Sequence, residues 1–552
     1  MKEEVWASRP GGAPSWPKEL GVLGLLLLFA LMLRLPFFFP AVVSWDESTY
    51  VLMGQSILDG HLPYLQQWEN QPPLAFVFYA GVIAVFGKDL VGVRLAGTLC
   101  VAAAAFLVYL TAARLWNRRA GMLAAALCVA AVSLLRGGQA TMTEHAALPA
   151  LVGALCLLVH REPSAGTLFA AGALMAAAAL VRLDLAYVVV LLGLYLLAPS
   201  AAGSPIKAVE RAAAYAAGGI LVAGILWLPY MLAGEREIWW RSVITANLSY
   251  AGSQHSALRN LIAQTRHASG VWLNALLWLG ALGGAVVTWR RWKSLGAAER
   301  RGLSLLILFA AGTGLAIIKS GPGYEHYLIQ LAPFAALLAA SLVRQLPPYP
   351  RRSALLLAGL LAVVSMRPIL AEYRTMAARV RARQPLRHGA AYEIAAYLRR
   401  ENTAGRPVFL LSDHIAYWFL GTYPPTRFVH PSNLAKEYLL RAVIGEDDST
   451  ELELQKVFGK SPEFVVTDQH IWYLRGRART LLQGILAEEY VPAAEIEGRK
   501  IYRKKAAGPI AYLAPAGFAK SAASPSMKPA SSSPRTQWRS QTESGFKSRA
   551  PG

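Results

Sequence analysis

The sequence has few of the residues that mark a disulfide-linked, metal-binding or charge-rich protein. Only 16% of its 552 residues are charged. Its three cysteines, Cys100, Cys128 and Cys156, all lie inside apolar runs, so neither a disulfide framework nor a cysteine metal site is visible. A small-residue cleavage site is also missing after the first apolar segment, which predicts that residues 20–40 form a retained span.

Acidic residues are scarcer than basic ones. The chain has 33 Asp and Glu against 55 Lys and Arg, which gives a formal net charge of +22. A charge of this size can indicate a nucleic-acid partner, but here the basic residues lie mainly in short loops between apolar runs and in the two tails. This distribution is typical of a membrane protein and argues against nucleic-acid binding.

Apolar residues dominate what is present. The sequence is 55% hydrophobic, with a mean hydropathy of +0.36. Repeated apolar runs separated by basic loops predict a polytopic α-helical membrane protein with about eleven spans. The predicted spans are 19–40, 90–113, 120–136, 141–160, 166–181, 183–198, 209–232, 271–288, 303–319, 326–343 and 353–369.

The positive-inside rule gives the chain a predicted orientation. Residues 1–18 form a cytoplasmic tail and residues 19–370 form the transmembrane domain. The apolar run 72–87 does not fit as a span, because crossing there would place the basic cluster 114–119 outside. We therefore expect this run to lie in the interface, within a long first external loop at 41–89.

The sequence changes character after the last predicted span. Residues 371–505 have mixed charge and apolar runs too short to cross a membrane, which predicts a small external α/β domain. Residues 506–552 are rich in Ser, Pro, Ala and Lys and are predicted to be a disordered tail. Within the α/β domain we expect helices at 392–400 and 413–420 and strands at 407–412 and 463–467.

Polar side chains gather at the predicted external ends of the helices. Sequence-distant groups on one membrane face are what an interfacial active site requires. An acid there deprotonates an acceptor hydroxyl, and Arg, Lys, His and Tyr bind a phosphate leaving group. The candidates are Asp46, Glu47, Glu69, Glu144, Arg182, Asp184, Lys319, His326 and Tyr327.

These residues and their flanking motifs resemble the membrane glycosyltransferases of the GT-C class, in particular family 39. That family includes protein O-mannosyltransferases and the aminoarabinose transferases that modify lipid A. The similar stretches are Asp46-Glu47 with Tyr50, Gly60-His61-Leu62-Pro63-Tyr64, Pro72-Pro73-Leu74, Arg94-Leu95 and His326-Tyr327-Leu328. The resemblance covers most of residues 20–480.

The resemblance implies a fold and a reaction. The enzyme would move a single sugar, with inversion, from a polyprenyl phosphate donor to an envelope acceptor, using neither a metal nor another cofactor. It would lie in a bacterial inner membrane with its site facing the periplasm, and undecaprenyl phosphate would carry the sugar. The acceptor could be lipid A, another glycan or a protein hydroxyl, and the sequence leaves both the sugar and the acceptor open.

The resemblance also implies roles for individual residues. Asp46 would be the general base, Glu47 would support it, and Glu69 would be the second acid of the loop. Many family members have a lysine before the paired prolines, where this chain has Gln71. The remaining candidates for binding the donor and its phosphate are Tyr50, Arg94, Glu144, Arg182, Lys319, His326 and Tyr327.

Alternatives remain at the level of the sequence. A transporter or flippase of lipid-linked sugars would show internal repeats and polar or broken helices at the midplane. A non-catalytic scaffold would tolerate loss of Asp46 and Glu47. Arg182 could form an ion pair with Asp184, and Lys319 could be a lysine at a helix end.

Overall fold

The computed structural model of the chain is predominantly α-helical and describes residues 16–159, 162–198, 204–252, 256–319, 323–402, 404–445 and 447–506. The predicted disordered tail at 506–552 lies almost entirely outside these residues, as does most of the N-terminal tail. The helices of the first part are α1 (Trp16–Arg34), α2 (Trp45–Leu58), α3 (Pro73–Phe86), α4 (Leu90–Leu115), α5 (Arg118–Leu134), α6 (Thr143–Leu158), α7 (Ala165–Val181), α8 (Ala186–Leu197) and α9 (Pro205–Leu232).

The second part of the chain continues with further helices and a small sheet. The helices are α10 (Arg236–Trp240), α11 (Ala246–Gly252), α12 (Ala257–Ser269), α13 (Trp272–Arg290), α14 (Ala297–Lys319), α15 (Ala332–Gln345), α16 (Pro348–Ser365), α17 (Arg367–Arg381), α18 (Ala390–Glu401), α19 (Ala416–Leu420), α20 (Glu437–Val443), α21 (Thr450–Gly459) and α22 (Gly476–Glu489). The strands are β1 (Val408–Leu410), β2 (Phe464–Thr467), β3 (Tyr490–Ile496) and β4 (Arg499–Lys504).

Among the residues that the structure describes, five helical segments are long and apolar enough to cross a bilayer: Pro17–Phe38, Leu90–Leu115, Pro205–Leu232, Trp272–Arg290 and Ala297–Lys319. A sixth is obtained if α16 and α17, which are bent by 43° relative to each other, count as one span. The chain is therefore a multi-pass helical membrane protein, as its sequence predicts.

Each of the remaining predicted spans also contains a helix, but a shorter one. Helices α6, α7 and α15 have 16, 17 and 14 residues. The predicted span 326–343 is wrong at its start, because residues Glu325–Gln330 form a 3-10 helix and α15 begins only at Ala332. Four of the six residues of this 3-10 helix, at positions 327–330, are buried.

Glycines allow two pairs of elements to approach closely. Where α7 crosses α9, a Cβ on Gly172 would overlap the carbonyl of Tyr215, and a Cβ on Gly218 would overlap that of Phe169. Small residues at such crossings are characteristic of helix packing in membranes. Gly54 of α2 similarly lies against the backbone of α3.

Helix α3 forms where the sequence predicts an interfacial segment. It has 14 residues, so it is about 21 Å long, less than the roughly 30 Å of a hydrocarbon core. It begins at Pro73, a residue preorganised for a first helical turn, and ends before Gly87, whose φ is 79°. The apolar run therefore packs against α2 as a separate short helix.

The C-terminal part contains the α/β elements that the sequence predicts. Strands β1 and β2 are parallel and buried, and the sheet has the order β1-β2-β4-β3. The antiparallel hairpin of β3 and β4 was not predicted. Only Tyr490 and Ile501 of its residues are buried, β3 contains a proline and two alanines, and β4 is rich in Lys and Arg, so neither strand has the run of buried β-branched and aromatic residues that identified the two inner strands.

This C-terminal part packs over the first loop of the chain. Trp68 donates its backbone N–H to the carbonyl of Arg427 at 2.6 Å, and Trp418 donates its indole N–H to Gln55 at 3.1 Å. The described residues up to Lys505 consequently form one compact unit. Their division at residue 371 into a membrane domain and an external domain stays a prediction.

Candidate active site

Asp46 lies in the first turn of α2. This helix begins after Ser44, whose hydroxyl accepts a hydrogen bond from the backbone N–H of Asp46 at 3.3 Å. The carboxylate is 32% exposed and faces two histidines. Its Oδ1 is 3.3 Å from Nε2 of His430, and its Oδ2 is 3.9 Å from Nε2 of His326.

The surroundings of Asp46 favour the ionised carboxylate. Burial acts to raise its pKa, but the hydrogen bond and charge of His430, together with the charges of His326 and Lys436, outweigh burial and lower the pKa. Asp46 therefore combines a solvent-accessible carboxylate with a stable negative charge. Both properties are needed in a group that accepts a proton from a bound hydroxyl.

Glu47, the neighbour of Asp46, points in a different direction and is buried. Its Oε2 accepts from Arg94 at 2.8 Å, and its Oε1 accepts from the backbone N–H of Thr141 at 2.6 Å. Arg94 also donates to the carbonyls of Phe37 and Pro40, at 2.9 and 2.5 Å. Glu47 thereby joins α2, α4 and the 135–142 loop.

This arrangement changes the interpretation of Arg94. The sequence suggested Arg94 as a ligand of the donor, but its side chain is fully buried and each of its three nitrogens donates to a protein oxygen. A fully buried guanidinium with these partners stabilises the fold of the first loop. Because the Arg94 side chain has no exposed surface, a bound donor would not contact it in this structure.

Glu69 approaches the same site from the far end of the first loop. It is buried, and its Oε2 accepts a hydrogen bond from the amide of Asn433 at 2.8 Å. Burial raises the pKa of Glu69, and nearby Asp46 raises it further, while His430 and Lys436 act in the opposite direction. The family resemblance gave Glu69 a catalytic role, and in the structure it is an inward-facing acid close to Asp46.

A second carboxylate cluster lies where α6 begins and α7 ends. Glu144, at the start of α6, is fully buried and is 2.5 Å from Arg182. Arg182 also binds Asp184 through two nitrogens, at 3.3 and 3.1 Å. The predicted Arg182–Asp184 ion pair is therefore present, and one guanidinium is shared between two carboxylates.

His326 and Tyr327 connect the two acidic groups. Nε2 of His326 is 3.7 Å from Oε1 of Glu144 as well as 3.9 Å from Asp46. The ring of Tyr327 lies against Arg182, with 4.7 Å between the guanidinium and the ring centroid. Both residues belong to the 3-10 helix that precedes α15, so this short element places them beside the first loop.

Two further candidates differ in their positions. Tyr50 is buried against Tyr79, with the ring centroids 5.6 Å apart, and the neighbouring carboxylates Asp46 and Glu69 add to burial in raising its pKa. Lys319 is exposed at the last position of α14, with no hydrogen bond or ion pair to any residue that the structure describes. Tyr50 therefore lies beneath the site, and Lys319 is not brought into it.

Three residues of the site were not found in the sequence. His430, Asn433 and Lys436 come from the C-terminal part, from a polar segment without helical or strand periodicity. The parallel bridge between Trp68 and Phe428 brings this segment to the first loop. The only sequence signal is a histidine before a proline, which is too common to single out.

The site holds no recognisable metal centre. Within the described ranges, no group of three or more His, Cys, Asp or Glu side chains is arranged to hold a metal ion. The polar groups of the site are instead carboxylates, imidazoles and cations that lie within ion-pair distance of one another. Such a surface can take up a proton at Asp46 and has cationic groups nearby to compensate an anion.

The chain is similar to known proteins over part of its sequence. Residues 70–241 match the family described as dolichyl-phosphate-mannose-protein mannosyltransferase. Undecaprenyl phosphate-alpha-4-amino-4-deoxy-L-arabinose arabinosyl transferases of Pseudomonas paraeruginosa and Pseudomonas aeruginosa are 34% identical over 119 residues, which is 20% of this chain and 22% of theirs. The chain thus matches about a fifth of the length of these curated relatives.

The similarity of the fold is much more extensive. The crystal structure of ArnT from Cupriavidus metallidurans bound to undecaprenyl phosphate aligns with a TM-score of 0.59 at 16% identity, over 90% of this chain and 100% of that one. The apo structure of the same protein gives 0.58 at 14% identity, over 88% and 98%. The predicted resemblance is confirmed at this level: the protein has the fold of a GT-C membrane glycosyltransferase.

Proposed function

We propose that the protein transfers one sugar from a polyprenyl monophosphate donor to a hydroxyl of an envelope acceptor. The observation that carries this proposal is the accessible carboxylate of Asp46, held ionised between His430 and His326 at one end of the helical bundle. The fold and the family match over residues 70–241 support the same reaction class. We further propose that this end faces the periplasm of a bacterial inner membrane.

The proposed reaction is a single displacement. Asp46 takes the proton of the acceptor hydroxyl, and the acceptor oxygen forms a bond to the anomeric carbon of the sugar. The bond between that carbon and the phosphate oxygen breaks, and the polyprenyl phosphate leaves with the electron pair. Attack opposite the leaving group inverts the anomeric centre. General-base assistance of this kind contributes about 10²–10⁴-fold to the rate.

The leaving phosphate needs positive charge nearby. Arg182 and His326 lie in the site, whereas the exposed Lys319 does not. The lipid tail would lie between the helices, where apolar side chains replace apolar lipid. Undecaprenyl phosphate is the proposed carrier, because the similar transferases are named for it and the similar crystal structure is bound to it. Lipid A, a glycan and a protein hydroxyl remain the proposed acceptors.

The position of the polar groups favours a transferase over a transporter of lipid-linked sugars. Alternating access requires a site near the midplane, formed by discontinuous helices. Asp46, Glu144 and His326 instead lie at or near the starts of α2, α6 and α15. A site at the helix ends can be reached by a lipid-linked donor from one side and by an acceptor from the other.

Mass spectrometry of envelope lipids and glycans tests the proposal. We expect a strain without the gene to lose one sugar mass from one envelope component, and a copy carrying Asp46→Asn not to restore it. Asp59→Asn is the matched control, since Asp59 follows the same helix and binds Gln55 at its exposed end. Full restoration by a stably inserted Asp46→Asn protein would contradict the proposal.

A further inference from the structure

Lys436 is a cation at the site for which the reaction described so far has no use. It follows the 3-10 helix Pro431–Ala435 and is partly buried. Its Nζ donates to Oδ1 of Asn433 at 2.9 Å and lies 5.4 Å from the ring centroid of Tyr250. An ammonium group has three N–H donors, so this single hydrogen bond within the described residues leaves Lys436 with donors for a ligand.

The partners of Lys436 hold it beside the two acids of the first loop. The amide of Asn433 that accepts from Lys436 also donates to Glu69. The charge of Lys436 acts on both Glu69 and Asp46, lowering the pKa of each carboxyl. The lysine is therefore close to the carboxylate that would deprotonate the acceptor.

The charges of the site show what Lys436 could add. Arg182 is surrounded by Glu144 at 2.5 Å and Asp184 at 3.1 Å, so its single positive charge is already matched twice. Because both carboxylates are within ion-pair distance of the guanidinium, Arg182 alone does not compensate the charge of a further anion. Lys436, by contrast, has an amide and an aromatic ring as its close partners and forms no ion pair within 4.0 Å in the described part of the chain.

We propose that Lys436 binds the phosphate of the polyprenyl phosphate donor. This inference rests on the proposed function and assigns its phosphate contact to a residue of the C-terminal part. As the bond between sugar and phosphate breaks, negative charge grows on the phosphate oxygen, and an ammonium group in a partly desolvated site stabilises it. Asn433 and the Tyr250 ring hold the flexible lysine side chain in position for this contact.

Binding of the carrier alone tests the inference without a sugar or an acceptor. The full chain in detergent is titrated with undecaprenyl phosphate and, separately, with undecaprenol, which has the same chain but no phosphate. We expect Lys436→Gln to weaken undecaprenyl phosphate binding at least tenfold, equivalent to about 1.4 kcal/mol, and to leave undecaprenol binding unchanged. Lys436→Arg should stay within about threefold of the wild type, since it keeps the charge.

Lys456→Gln is the matched control. Lys456 belongs to the same part of the chain, but its Nζ lies between Glu453 at 2.6 Å and Asp448 at 3.2 Å on the surface. This variant should bind undecaprenyl phosphate like the wild type. A thermal unfolding curve in detergent for each variant shows whether the comparison is made between folded proteins.

Two results would overturn the inference. In the first, Lys436→Gln binds undecaprenyl phosphate as tightly as the wild type. In the second, its affinities for undecaprenol and for undecaprenyl phosphate fall by the same factor, which would mean that Lys436 affects only the shape of the lipid site. Both differ from failure of the proposed function. If the proposed function failed, the wild-type protein itself would bind undecaprenyl phosphate and undecaprenol with the same affinity.

Discussion

Nε2 of His430 lies 3.3 Å from Oδ1 of Asp46 and joins the C-terminal part of the chain to the first turn of α2. The other ring nitrogen, Nδ1, faces the backbone N–H of Ser432 at 3.2 Å. A backbone N–H can only donate, so in the neutral imidazole Nδ1 accepts and the ring proton lies on Nε2, and the protonated ring also carries a proton on Nε2. His430 therefore donates to Asp46 and orients the carboxylate.

Replacement of His430 should change the pH dependence of the reaction. Burial raises the pKa of Asp46, and the hydrogen bond from His430 is the largest effect that lowers it. We expect His430→Ala to raise this pKa. Because the ionised carboxylate is the active form, the rate falls as the pH drops through its pKa, so the acidic limb of kcat/KM should move to higher pH.

The matched variant for this measurement is His61→Ala. His61 contacts Tyr423, with 5.9 Å between the ring centroids, and has no contact with Asp46. Its acidic limb should coincide with that of the wild type. An unchanged limb in His430→Ala would mean that His430 does not control the ionisation of Asp46.

The site residues that come from the helical part of the chain could be predicted from the sequence, because membrane proteins rarely place charged residues near apolar runs unless those residues have a function. Asp46, Glu144 and Arg182 each stand at the end of an apolar run, and these ends meet in space because the helices alternate in direction. The sequence did not separate the roles of adjacent acids. Asp46 and Glu47 face different ways because successive helical positions point about 100° apart.

Glu47→Gln should destabilise the protein more than a typical surface change. The substitution leaves Arg94 as a buried charge without its carboxylate partner, and breaking such a pair costs about 3–5 kcal/mol. Denaturant unfolding in detergent measures the difference in the free energy of unfolding. We expect the loss to come with lower activity, because α2 also carries Asp46.

Glu162→Gln provides the comparison for Glu47→Gln. Glu162 pairs with Arg211 at 3.4 Å, but its side chain is 78% exposed. Surface pairs of this kind contribute about 0–1 kcal/mol at most, so the free energy of unfolding should hardly change. Equal effects of the two variants would show that the Glu47–Arg94 pair does not stabilise the fold of the loop.

Gly218 provides a test of the membrane-helix packing. A Cβ at this position would overlap the backbone carbonyl of Phe169 in α7, which cannot move as a flexible side chain would. We expect Gly218→Ala to lower the unfolding temperature or to prevent stable insertion. Gly224→Ala, in the same helix and with no atom within 4 Å of the added Cβ, should be tolerated. Equal stability of the two variants would contradict the close crossing of α7 and α9.

The site residues that come from the C-terminal part could not be predicted from the sequence, because their position depends on a pairing between remote segments of the chain. His430 and Lys436 are ordinary polar residues of a loop until the bridge between Trp68 and Phe428 places that loop over the first one. Long-range pairings of this kind leave no local periodicity. Lys319 shows the reverse case, since its place at a helix end suggested the site but its side chain is exposed.

Two substitutions of Arg182 should have different effects: Arg182→Gln removes the positive charge, whereas Arg182→Lys keeps the charge and changes the shape of the cationic group. Its guanidinium donates through all three nitrogens and ties Glu144 of α6 to Asp184 at the entry of α8. Arg182→Gln removes the guanidinium that both buried carboxylates share, so we expect a loss of about 3–5 kcal/mol in the free energy of unfolding.

Arg182→Lys keeps the charge, but a single ammonium cannot reproduce the planar fork that binds both carboxylates. Loss of one charge-assisted hydrogen bond corresponds to about 1.5–3 kcal/mol, so kcat/KM should fall about 10- to 100-fold while the protein still folds. Steady-state kinetics and unfolding curves of the two variants, measured together, separate the effects. If Arg182→Lys were fully active, the position of Glu144 and Tyr327 would depend only on the charge of residue 182.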